Sequence, residues 1–406
     1  MSSPVSVATE RLHGLDAVRA LALLLGVSLH AGMSYMPGSQ FFWLVSDTSS
    51  SLAMNLAFYA THLFRMTAFF LIAGYFGRLS CERLGSAGFA RDRARRIFLT
   101  LIAAWPAVMF GITVVLICAA LLKGGGQLPS ESPPGPSFAP DDFPLAHLWF
   151  LYVLCGFYLA ALGLRTLLAR IDPRGTLAAM GDRVLARLLT PWSMPLLGLP
   201  VALALSQHPE WYAWFGIPTP DQSLYPNLSA IVGYGLAFAV GWCLQRRRET
   251  LMRLASHRHG FLVLAIALMA ACLWMVGLSS PPTPAPQGAG TLLYAWCYGA
   301  ASWAGTLALV ALALHHARGY SAARRYVADA SYWIYLAHLP LVMGLQLVAS
   351  RFHAPWWIEY PLLLALAFAL LLGSYHVLVR QTWLGAWLNG KRAVGTAPPR
   401  VAPVAA

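Results

Sequence analysis

The sequence predicts an all-α, polytopic integral membrane bundle of ten transmembrane helices with both termini in the cytoplasm. Three observations predict it. The 406 residues are 58% hydrophobic and only 11% charged, with a mean hydropathy of +0.60, where a soluble domain carries about 25% charge. Apolar stretches close to the ~20 residues needed to cross a bilayer recur along the whole chain. The basic residues fall almost wholly in alternate loops, the pattern that orients membrane proteins.

The first span, 15–33, follows a polar segment (1–14) and has no small-residue cleavage site after it, so it reads as a retained helix and not a signal peptide. The second, 52–76, runs inward and is followed by Arg78, Arg83, Arg91, Arg93, Arg95 and Arg96. Spans three and four occupy 97–122 and 145–164. The fifth, 192–206, is short and carries Pro195 and Pro200. Spans six to ten occupy 228–244, 260–278, 291–314, 331–349 and 358–379. The loops after spans four, six and eight hold five, five and three Lys or Arg residues, whereas the odd loops hold only Lys123 and Arg351. Removing the fifth span would invert every later one and destroy this alternation, so the count stays at ten.

The outward loops 123–144, 207–227 and 279–290 are rich in proline and read as stiff connections, with no soluble domain. Residues 15–390 therefore form one transmembrane domain, followed by a cytoplasmic tail, 391–406, expected to be disordered. The net charge of +13 would suggest nucleic acid in a soluble protein. Here the excess faces the anionic cytoplasmic leaflet and no nucleic-acid motif accompanies it, so the expected partner is membrane lipid. The six cysteines form no CxxC pair, and neither a disulfide framework nor a metal site is expected.

Ionisable side chains inside spans are expensive and usually face a site or a wet cavity. Arg19 and His30 are eleven residues apart on the first helix, about three turns, so both lie on one face some ~16 Å apart. Asp16 is one turn from Arg19 and can pair with it. On the second span Arg65 falls near mid-membrane, with His62 one turn above and Asn55 two turns beyond that. No carboxylate sits mid-span to neutralise Arg65, which leaves room for a substrate anion or oxyanion. The ninth span carries Ser331, Tyr335 and His338 as a stripe ending before Pro340, and the tenth ends in Tyr375 and His376. The plain alternative for each is a polar contact between helices, worth about 0.6 kcal/mol.

The order of these residues resembles the acyltransferase-3 family. The likeness is carried by Leu15-Asp16 with Arg19 and His30, by Phe64-Arg65-Met66 leading to Phe69-Phe70-Leu71-Ile72-Ala73-Gly74-Tyr75-Phe76, by the Arg93/Arg96 pair, and by Ser331-Tyr332-Trp333-Ile334-Tyr335-Leu336-Ala337-His338. With His147-Leu148-Trp149-Phe150-Leu151 it is similar to the branch that succinylates osmoregulated periplasmic glucans. Ala73 departs from the serine usual at that place. The resemblance implies a bacterial inner-membrane O-acyltransferase with no resident cofactor, taking acyl-CoA (succinyl-CoA) as co-substrate and a periplasmic glucan or other glycan as acceptor. It implies His30, Arg65 and Arg19 as catalytic. Asp16, Arg93, Arg96, His62, Tyr335, His338, His147 and Trp149 would then contact acyl-CoA or substrate. An acetyltransferase of another surface glycan, an organic-anion transporter and a membrane scaffold remain the alternatives. The sequence gives no handle on oligomeric state.

Overall fold

A computed structural model describes residues 13–128, 137–208, 211–278 and 283–390. The expectations for residues 1–12, for the prolines within 129–136 and for the tail 391–406 lie outside these described residues. Among the described residues the chain is helical, with no β-sheet and a single isolated bridge between Tyr212 and Pro284.

The helices are α1 His13–Gly32, α2 Leu52–Arg93, α3 Leu99–Lys123, α4 Trp149–Ile171, α5 Thr176–Leu188, α6 Met194–Ser206 and α7 Leu228–Leu244. They continue with α8 Arg248–Leu254, α9 Arg258–Val276, α10 Ala289–His316, α11 Ala322–Ala349, α12 Trp356–Ser374 and α13 Trp383–Asn389. Side chains of Ser51, Asn227 and Ser321 accept backbone N–H groups at the starts of α2, α7 and α11, as N-caps do.

Hydropathy marked the apolar segments well but the helix ends less well, because a helix need not stop at the membrane surface. α2 continues past residue 76 into its charged stretch as far as Arg93, broken at Gly85 (φ 70°). The chain folds back there, since Arg93 Nη2 donates to Ser80 Oγ at 3.1 Å. Seven helical stretches are long and apolar enough to cross a bilayer, with the 72 residues Leu52–Lys123 counted as one. An eighth is added if Thr176–Leu188 and Pro191–Ser206, bent by 103°, form one span. The expected ten exceeds this count because α6 has 13 residues, α7 has 17, and α2 and α3 run together.

α10 is the buried axis, with Trp303, Ala304, Leu307, Val310 and Ala311 all closed to solvent. Its Ala, Gly, Ser and Thr residues let α6, α9, α2 and α1 approach closely, which is how helices associate where lipid gives no hydrophobic drive. α2 and α7 touch backbone to backbone: a Cβ on Gly74 would lie 2.0 Å from the Phe238 carbonyl oxygen, and one on Gly241 1.8 Å from that of Leu71. α1 is held between α2, α10, α11 and α12, so the Arg19–His30 face looks into protein instead of lipid.

Candidate active site

A cavity of about 1120 Å³ runs through the bundle, and its wall holds Arg19, His30, His62, Arg65, Arg93, Arg96, His147, Trp149, Tyr335 and His338. Ten of the eleven residues singled out by sequence thus share one space. The eleventh, Asp16, is buried behind the wall and accepts from Arg19 Nη2 at 3.2 Å. Asn55 is fully buried and off the wall. His376 is off the wall as well, beside Tyr326 and Arg380, which matches its plain helix-contact reading.

Imidazoles gather in one half of the cavity, away from Arg93 and Arg96. The His30 ring is stacked on Trp43 (centroids 5.6 Å apart, 19° between planes) and lies 5.3 Å from the His338 ring. His147 lies 5.0 Å from His338 on its other side. Nδ1 of His338 faces the carbonyls of Ile334 (3.2 Å) and Tyr335 (2.8 Å), which only accept. That nitrogen therefore carries a proton, which leaves the Nε2 lone pair available whenever the ring is neutral. Nδ1 of His30 has no hydrogen-bond partner.

His30 is held through its backbone. Gln346 Nε2 donates to the carbonyls of His30 (2.8 Å) and Ala31 (3.1 Å), while its Oε1 accepts from Trp43 Nε1 at 2.8 Å. One buried amide thus fixes the end of α1 and the indole on which the imidazole lies. Its only signal in the sequence is a lone glutamine in an apolar span, and Trp43 carries none.

Arg65 is 7% exposed, its Nε makes no hydrogen bond, and no carboxylate pairs with it among the described residues. Its guanidinium rests against Gly26 of α1, one turn below His30. A desolvated cation under a cluster of imidazoles is a site waiting for negative charge, whether an oxyanion or a ligand carboxylate. His62, stacked on Phe58 with centroids 5.1 Å apart, completes this wall.

The other end is rich in arginine, but the arginines are already paired. Asp92 is ion-paired with Arg93 (Nη2 to Oδ2, 2.9 Å) and Arg96 (Nε to Oδ1, 3.0 Å), and Asp329 accepts from Arg325 Nε. The short α13 closes over them: Asn389 Nδ2 donates to the Asp329 carbonyl (3.0 Å), and Arg96 Nη1 donates to that of Asn389 (3.4 Å). Sequence reading missed Asp92, Arg325 and α13, since nothing local says which acid will face which base across the fold.

At the end opposite these arginines, Ala146 adopts φ 46°, a conformation that costs a non-glycine residue roughly 1–3 kcal/mol. Its N–H donates to the Asp221 carbonyl at 2.8 Å, and the turn it makes carries His147 into the cavity. Neither His147 ring nitrogen makes a hydrogen bond, though the Leu336 carbonyl, deprived of its helical donor by Pro340, faces the ring. Burial raises the Asp221 carboxyl above the ordinary range, opposed by its own amide and by the Thr219 hydroxyl. Among the described residues no three His, Cys, Asp or Glu side chains converge as a metal would require.

The acyltransferase-3 profile, described as an acyltransferase domain, matches residues 12–376. Similar proteins include glucans biosynthesis protein C of Escherichia coli (strain K12), 33% identical over 153 residues, which is 36% of this chain and 37% of the relative. The protein of the same name from Shigella dysenteriae serotype 1 (strain Sd197) is 32% identical over 153 residues, again 36% and 37%. The chain thus aligns with just over a third of these relatives' length. The profile match covers nearly the whole chain and holds every wall residue named above, and on that basis the chain belongs to the acyltransferase-3 family.

Proposed function

We propose that the protein is a ten-span inner-membrane O-acyltransferase with both ends in the cytoplasm. It would move an acyl group, most simply succinyl, from cytoplasmic acyl-CoA to a hydroxyl of a periplasmic glucan. One observation carries this reading: a single cavity has arginines at one mouth, carboxylates and hydroxyls at the other, and His30 with Arg65 between them. A thioester confined to one side and a glycan confined to the other need such a passage.

In this reading the CoA phosphates sit near Arg93, Arg96 and Arg325, and the pantetheine arm extends toward His30. The acceptor hydroxyl attacks the thioester carbonyl while His30 takes its proton, a role worth about 10²–10⁴-fold in rate. Arg65 balances the charge on the carbonyl oxygen. The C–S bond then breaks, and the proton passes from the imidazolium to the departing thiolate. With a succinyl donor, Arg65 could instead grip the distal carboxylate as a bidentate fork.

The test compares envelope glycans by mass spectrometry in a deletion strain and in strains complemented with wild type or His30→Ala. A succinyl mass restored only by wild type supports the reading, whereas an acetyl mass moves the donor to acetyl-CoA. Unchanged glycans with the protein expressed would reject the glucan acceptor. A continuous passage also suits an organic-anion carrier, and uptake into proteoliposomes without acyl transfer would favour that second reading.

A further inference from the structure

We propose that the outer mouth is an acceptor subsite that takes an uncharged polyhydroxyl chain and turns away anionic sugars, with Asp142, Thr219, Asp221 and Gln222 as its polar contacts. The proposal rests on the acyltransferase reading of the same cavity and adds to it the residues and the charge rule for the acceptor.

Two outward loops are joined into one rim. The Ala146 N–H donates to the Asp221 carbonyl (2.8 Å), the Leu224 N–H to the Pro140 carbonyl (2.7 Å), and the Tyr152 hydroxyl to the Leu224 carbonyl (2.7 Å). The prolines on both loops limit how far this rim can rearrange. Thr219 Oγ1 donates to Asp221 Oδ1 at 3.1 Å, which fixes that carboxylate at the cavity edge.

The rim differs from the inner mouth in sign. Arg19, Arg93, Arg96 and Arg325 line the inner part of the cavity, but no Lys or Arg is among the residues lining it at the outer end. Carboxylates are strong acceptors for sugar hydroxyls, and amide and hydroxyl groups supplement them. The ring of Phe215, held edge-on by Phe42 and Phe58, adds an apolar face on which a sugar can lie. An acidic sugar would meet two carboxylates with no cation to offset them, which is specificity by repulsion.

A second observation ties the rim to a ligand. His147 is 8% exposed, both its ring nitrogens lack hydrogen bonds, and it projects into the same cavity from the residue after Ala146. It can serve a hydroxyl of an acceptor whose neighbouring units rest on the rim. The path from rim to His30 runs His147, His338, His30 through adjoining rings.

The experiment uses the whole protein in nanodiscs and two probes of equal length, a neutral oligoglucan and the same backbone bearing uronic acids. Binding is read by saturation-transfer NMR without donor, then acceptor KM and kcat are measured with acyl-CoA. The wild type should bind the neutral probe at least tenfold more tightly than the acidic one. Asp221→Asn and Asp142→Asn should each raise the neutral acceptor's KM by about three- to tenfold, more than they lower kcat. Gln222→Lys, on an exposed position where folding is not at stake, should improve binding of the acidic probe severalfold. Equal binding of both probes by wild type, or an acceptor KM indifferent to all three substitutions, would overturn the subsite. No acyl transfer to any acceptor, together with charge-selective binding that follows the substitutions, would reject the acyltransferase reading and leave the subsite standing.

Discussion

The Arg65 guanidinium occupies space that Gly26 leaves open: a Cβ on Gly26 would sit 2.9 Å from Arg65 Nη1. Helix α1 thus supplies both the imidazole of His30 and, one turn below it, the gap that admits the cation from α2. Gly26→Ala should push the guanidinium aside at an overpacking cost of about 1–3 kcal/mol. Acyl transfer should fall at least tenfold, with a far smaller change in the amount of folded protein by size-exclusion chromatography. Arg65→Lys should also be strongly impaired, because an ammonium cannot reproduce a planar fork. Full activity in both variants would remove Arg65 from the mechanism.

Gln346 offers a sharper dissection, since its two ends do different things. Gln346→Leu breaks the bonds to Trp43 and to the His30 and Ala31 carbonyls, leaving buried groups unpaired at about 1–3 kcal/mol. Gln346→Glu can still accept from Trp43, but a buried carboxyl has at most one O–H to offer where the amide serves both carbonyls. If the end of α1 is what matters, Glu should be as poor as Leu in kcat. If the Trp43 platform is what matters, Glu should retain most of the rate.

Asp92 competes with any phosphate for Arg93 and Arg96. Asp92→Asn should therefore lower the KM for acyl-CoA severalfold. It should also make that KM more sensitive to salt, because more cationic charge is left for the donor. A donor KM that rises or stays fixed would place the CoA phosphates elsewhere.

Ala146 provides a test with the opposite sign on stability. Glycine accepts its positive φ without a Cβ penalty, so Ala146→Gly should stabilise the protein by about 0.5–1 kcal/mol. The same change loosens the turn that aims His147, and the rate should drop while the thermal midpoint rises. A midpoint that falls would mean the turn is not strained.

What could be read in advance depended on helical geometry. Once α1 was a helix, Arg19 and His30 had to share a face, and the same holds for Tyr335 with His338 on α11. Their common cavity follows from these faces meeting. By contrast Trp43 lies outside the long helices and reaches Gln346 across 303 residues of chain. Asp92 looked like one charge among many in a basic loop, and Asp221 lay in a stretch whose prolines deny any periodicity. Helix ends were misjudged for a related reason: apolarity reports the thickness of the bilayer, whereas α2 carries on through a charged stretch to Arg93.

The cavity has a further meaning for the cell that makes this protein. A polar passage reaching from arginines at one membrane face to carboxylates at the other is a candidate electrical leak. The arms that line it between the two mouths include Leu23, Val27, Met66, Phe69, Phe150 and Leu151, a collar of apolar side chains around Arg65. On the proposed acyltransferase reading that collar would part for a slender acyl chain and yet deny ions a continuous column of water. On that reading the same side chains would serve as insulators of the proton gradient as well as walls of an active site. A substitution there that widens the passage should be felt first as lost membrane potential, before any change in acyl transfer.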